Sequence, residues 1–191
     1  MARSNLFEWD ELNIIREDAV RLVQEVRAMQ SRPKKKAVEE FCDYLDFVLC
    51  LIYAYGWKDA EEIIGAVPMR SGLDDKAVNR EIKGETFRER IQQQVDELSE
   101  DGVLRIIDTE AHRDYNTGVY DAAKESGKQI RKRWGTMADG RVRETHDYLH
   151  GAVVDLDDRF YTYDGDSAMF PGDFSLPENN VNCRCWITLT A

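Results

Sequence analysis

A chain of 191 residues, 42% hydrophobic and 33% charged, is long enough to bury a core as one domain or two small ones. Its longest apolar stretch, FVLCLIYAYGW, falls short of the roughly 18 residues a spanning helix needs and lacks the flanks of a secretion signal, so a soluble protein is expected. The net charge of −11 repels phosphate on average and argues against a whole-surface nucleic-acid binder; RPKKK and KQIRKRW are local basic clusters, read as solvated helix ends and a solvated strand face in preference to a small phosphate-facing patch.

The spacing of Leu12, Ile15, Ala19, Leu22, Val23 and Val26 predicts an amphipathic helix over residues 6–29. Ser31, Arg32 and Pro33 break it, and Pro33 suits the first turn of a second helix. That helix is predicted over 34–55, with Val38, Phe41, Leu45, Val48, Leu51 and Ile52 on its face and Gly56 as its stop. The two make an αα-hairpin by default. A short helix is predicted over 58–64, and residues 65–83 read as a linker or mobile loop punctuated by Pro68 and Gly72.

Helical texture returns in RERIQQQVDEL. A long helix is then predicted over 103–126, with Ile106, Ile107, Ala111, Tyr115, Val119 and Ala122 turned to a core and Gly127 as its C-terminal cap. Beyond it QIRKRWGTM alternates like a strand, RETHDYLHG is one or two helical turns, and RFYTY and RCWITLT read as strands. The fold class is α+β: a helical N-terminal two thirds, then a small C-terminal α+β domain with a short antiparallel sheet. The expected divisions are 1–66 (helical hairpin), 67–102 (linker and helix) and 103–191 (C-terminal domain).

Four cysteines without a secretion signal read as reduced thiols or metal ligands. Cys42 and Cys50 lie in the most apolar helix and behave as small hydrophobes. His146 and His150 are spaced to share one helix face, while Cys183 and Cys185 are spaced to share one side of a strand. His146, His150, Cys183 and Cys185 therefore form a candidate metal set, and zinc is the ion such donors favour. A staple there would order the long loop between the pairs. Against it stand a hydrogen-bonded His146, a surface His150 and two buried thiols.

An enzyme would need an acid, base or nucleophile. Glu110, His112 and Asp114 cluster on the long helix, and Asp139, His146, Asp147 and Asp173 cluster near the candidate staple, so a metal-dependent nuclease or nucleotide-processing enzyme is the alternative reading, with Glu110, Asp139 and His146 as its candidates. Asp155, Asp157, Asp158, Asp164, Asp166 and Asp173 make a poor field for a phosphate substrate, and no phosphate-binding loop, G-x-S-x-G or H-E-x-x-H occurs. DLDDRF and DGDS lack the full ligand loop of a calcium site and read as turn chemistry.

The strings TEAHRDYNTGVYDAA, KRWGTMADGRVRETHDYLHG, FPGDF and NCRC, in that order, resemble the phage Mu protein F-like head-morphogenesis family. The matching positions are Thr109, Glu110, Asn116, Trp134, Asp139, Arg141, Arg143, His146, Leu149, Gly151, Pro171, Gly172, Asp173, Asn182, Cys183, Arg184 and Cys185. The resemblance covers the last ninety residues or so. It implies a non-enzymatic minor structural protein of a tailed-phage or prophage head, acting in head morphogenesis beside portal or capsid proteins, with packaged DNA as a further contact and no membrane. Its location would be the virion, and the bacterial host cytoplasm during assembly. Members also occur fused to toxin domains, which this chain is not expected to carry. Glu110, Asp139, Arg141 and Arg143 are then read as a structural charge cluster that orients the long helix against the sheet.

Overall fold

The computed structural model describes residues 10–28, 34–69 and 81–190. Its order is α1 (Asp10–Ala28), α2 (Lys34–Ile64), α3 (Phe87–Asp96), α4 (Glu100–Glu125), β1 (Arg131–Thr136), α5 (Glu144–Asp147), β2 (Val153–Asp155), β3 (Phe160–Tyr161), β4 (Ser167–Ala168), α6 (Pro177–Asn180) and β5 (Cys185–Thr190). The class is α+β, as the periodicities indicate. The start of the first predicted helix, the Ser31–Arg32–Pro33 break and most of the predicted linker lie outside the described residues.

The chain divides into two compact units. Of the described residues, one unit holds 10–28, 34–51 and 81–108. Its core is a set of apolar helix stripes: Leu12, Ile15, Ala19, Val23 and Val26 from α1, Val38, Leu45 and Leu49 from α2, Phe87, Ile91 and Val95 from α3, and Val103 and Ile107 from α4. The α3 start is sharply specified. Thr86 accepts a hydrogen bond from the Glu89 backbone N–H while the Glu89 carboxylate accepts one from the Thr86 N–H, a reciprocal capping box. Within this unit Arg16 pairs with Asp108 at 2.7 Å, tying α1 to α4.

The second unit holds 52–69 and 109–190. Here the predicted stop at Gly56 is overturned, because α2 continues unbroken to Ile64. Gly56 serves a close approach of two helices: a Cβ on it would lie 2.1 Å from the Tyr115 carbonyl oxygen, and one on Gly118 would lie 2.1 Å from that of Tyr53. Two glycines thus let α2 and α4 meet backbone to backbone. The real stop is Gly65, at φ 82, whose N–H returns to the Glu61 carbonyl at 2.8 Å.

β1 is the central strand of an antiparallel sheet ordered β2-β1-β5, with Trp134 opposite Ile187 and Thr136 opposite Cys185. β3 and β4 form a separate two-stranded hairpin. Alternation along β1 buries Lys132, Trp134 and Thr136. Lys132 therefore leaves the solvated face assigned to KQIRKRW. Its ammonium donates to the Leu156 carbonyl at 2.7 Å beneath the Tyr120 and Phe160 rings, and burial pulls its pKa down to about 8.

The acidic loop beyond is organised by Asp166. Its carboxylate accepts from the backbone N–H groups of Ser167, Ser175 and Leu176 and from the side chains of Ser175 and Asn179. Burial opposes ionisation, but these donors outweigh it and hold the carboxyl at about 2. The DGDS stretch is loop chemistry of this kind.

Candidate metal centre

β5 starts at Cys185, and its alternation buries Cys185, Ile187 and Leu189 together. Asn182, at φ 54, turns the chain out of α6, and the Cys183 N–H closes onto the Asn180 carbonyl at 3.1 Å. That turn sets the Cys183 thiol on the same buried side as Cys185. α5 is a single turn that delivers His146, which is 1% exposed.

His146 Nδ1 lies 3.5 Å from the sulfur of Cys183 and 3.5 Å from that of Cys185. All three donor atoms lie within 4.8 Å of one another, so the cluster can hold a metal ion. Aromatic rings wall it: His146 stacks on Phe174 with centroids 5.0 Å apart, and Trp134 meets its edge at 5.9 Å. His146 Nε2 is buried with no hydrogen-bond partner, so the ring is held by its stacking on Phe174 and by the contacts of Nδ1 with the two sulfurs. Burial opposes ionisation of Cys183, yet hydrogen bonds from Cys185, His112 and His146 hold its thiol well below the ordinary range. Cys185, sharing its hydrogen bond with that sulfur and buried as well, is pushed up.

His150 is not brought to this cluster. The helix ends at Asp147, so helical spacing does not carry on to His150; it is exposed, and its Nδ1 accepts from the Thr136 N–H at 3.2 Å. Nor do Glu110, Asp139, Arg141 and Arg143 form one charge cluster. Glu110 pairs with Arg113 one turn along α4, and both are buried. Asp139 pairs with Arg184 at 2.8 Å, Arg143 donates to the Val181 carbonyl, and Arg141 is exposed. The two contacts made by Asp139 and Arg143 bracket Cys183, strapping the segment before α5 to residues 181–184.

The neighbour that spacing misses is His112, which lies beside the cluster and outside its group of three donors. It is 4% exposed on α4 and hydrogen-bonds to Cys183. One turn further on, Asn116 Oδ1 accepts from the Ile187 N–H at 3.0 Å, and its amide nitrogen donates to the His112 carbonyl at 2.9 Å. The available signal was polar density: Thr109, Glu110, His112, Arg113, Asp114 and Asn116 crowd two turns of a helix and are all buried. An amphipathic surface helix does not carry such a run on every side.

A model of the family described as Phage Mu protein F like protein matches residues 75–188. The chain is 41% identical over 92 residues to the NAD(+)--arginine ADP-ribosyltransferase EFV of Enterococcus faecalis (strain ATCC 700802 / V583), covering 47% of this chain and 19% of that protein. It is 30% identical over 79 residues to the minor head protein GP7 of Bacillus phage SPP1, covering 40% of this chain and 26% of that protein. The chain thus matches only 19% and 26% of the lengths of these two curated relatives. No solved structure gives a significant match.

Proposed function

The chain belongs to the Phage Mu protein F like family, and from that membership we propose that it is a minor structural component of a tailed-phage or prophage head, acting in head morphogenesis. The match over residues 75–188 carries this reading, because it takes in α3, α4 and the whole His–Cys cluster with its straps. The similarity to a minor head protein supports it. The partners are portal or capsid proteins, with packaged DNA as a secondary contact. The charge of −11 favours a protein partner over a phosphate backbone. No described helix is long and apolar enough to cross a membrane. The chain works in the virion and assembles there from the host cytoplasm.

Zinc is the ion assigned to His146, Cys183 and Cys185, because two sulfurs and an imidazole nitrogen suit its borderline-soft character. Its role is to hold the domain together. The nuclease reading loses support from the positions of its residues: Glu110 is engaged by Arg113, Asp139 by Arg184, and His146 faces the thiols. The similarity to a named transferase keeps a second reading in play, although it extends over only 19% of that protein.

Quantitative mass spectrometry of purified particles tests the head assignment. The chain is expected at low copy number, and its absence from particles overturns the assignment. Incubation with NAD+ and an arginine-bearing acceptor, and separately with plasmid and magnesium or manganese, is expected to give no turnover. Transfer abolished by substitutions in this chain would establish the enzymatic reading instead.

A further inference from the structure

His146, Cys183 and Cys185 supply three donors, and a closed structural zinc site takes four. We infer that His112 is the fourth ligand, giving a His112, His146, Cys183 and Cys185 site that fastens the middle of α4 to the start of β5. This rests on the assignment of zinc to the cluster.

The placement comes from α4. His112 and Asn116 are four residues apart on one helix face, and Asn116 receives the Ile187 N–H at 3.0 Å. Ile187 lies two residues beyond Cys185 on the same buried strand face, so the face bearing His112 is laid along the strand where the thiols emerge. His112 reaches the cluster at Cys183, to which it hydrogen-bonds. The Asn116 amide nitrogen lies 3.4 Å from His112 Nε2 and donates to the His112 carbonyl, so Asn116 ties the turn of α4 that carries His112 to β5.

Charge and solvation agree. Two thiolates and two neutral imidazoles around a dication sum to zero, the condition under which such a group is buried at least cost. His112, His146, Cys183 and Cys185 are each 4% exposed or less, and Trp134 and Phe174 complete the wall. A site so closed has no coordination position open to water or substrate, which makes it a structural clasp. It would pin side chains on α4, α5 and the β5 segment at a single point.

The chain contains only three histidines, which makes the test decisive. Tag-free full-length protein carrying His150→Ala is purified without chelator, loaded with zinc and examined by zinc X-ray absorption. About one zinc per chain is expected, with two sulfur and two imidazole neighbours, and the two imidazoles can then come only from His112 and His146. His112→Cys, loaded with cobalt, is expected to raise the sulfur-to-cobalt charge-transfer band by about half, since a third thiolate joins two. One imidazole per zinc overturns the inference and leaves zinc in place. A chain that binds neither zinc nor cobalt overturns the zinc assignment and the inference with it.

Discussion

Among the described residues, every buried polar or charged side chain lies between Thr109 and Asn179, all within one of the two compact units. Glu110, Asn116, Lys132, His146 and Asp166 are examples, and most have a hydrogen-bond or ion-pair partner at a definite atom. The other unit buries Leu, Ile, Val, Phe and Ala from four helices and keeps its ion pairs, such as Arg16 with Asp108, only partly covered. The difference is between two ways of specifying a core. Apolar burial is roughly proportional to area and indifferent to direction, so one aliphatic side chain can replace another. Buried polar groups demand partners at fixed distances and angles, and an unmet one costs its full desolvation.

Small substitutions should separate the two cores. The largest effect is expected at Gly56. In an exposed helix interior Gly→Ala stabilises by about 1 kcal/mol. Here the added methyl would meet the Tyr115 carbonyl oxygen at 2.1 Å, and Gly56→Ala should destabilise by about 3 kcal/mol in urea melts. A stabilising result would mean that the α2–α4 contact is looser than described.

Asn116→Leu keeps the side chain's size but strands the Ile187 N–H, at an expected cost of about 2.5 kcal/mol, whereas Ile91→Leu in the apolar unit should cost under about 1.5 kcal/mol. Equal costs in chemical denaturation would erase the contrast.

Asp166 adds a pH signature. Its folded pKa of about 2 lies below the unfolded value near 3.8, so its contribution is present in full above pH 4 and is lost as pH falls toward 2. The contribution is about 2 kcal/mol. Asp166→Asn should remove that part of the acid sensitivity between pH 4 and pH 2, and unchanged acid melting curves would show that Asp166 does not govern it.

The smallest expected effect is in the apolar unit. Thr86→Ala removes one side of the α3 capping box and should cost about 1 kcal/mol, measured as a small drop in Tm with unchanged helix content.

The helices were legible because their stripes repeat within a few residues. Leu12, Ile15, Ala19, Leu22, Val23 and Val26 were assigned to one buried face and are all buried. The strands at RKRWGT and CWITLT were legible through alternation. The short β2 and β4, three and two residues long, carry too little pattern to be seen. Gly56 was misread because a helix stop and a close packing contact call for the same residue, and only the presence of Tyr115 distinguishes them.

In the candidate centre, His146, Cys183 and Cys185 were picked out by residue type and spacing, and the structure brings these three together. His150 was picked by a helical spacing that the one-turn α5 does not sustain, while His112 was seen only as a neighbour of acidic residues on its own helix.

The sequence by itself determined the α+β class, the helical stripes and the order of motifs that marks the family, because each is carried by residues close together in the chain. Only the tertiary structure decided which side chains meet. The contacts at the centre join residues 37, 39 and 71 positions apart, and no local period encodes a distance across such loops. Whether a histidine faces a thiol or solvent is settled by where α4, α5 and β5 come to rest, and that follows from packing the whole unit around its buried polar groups.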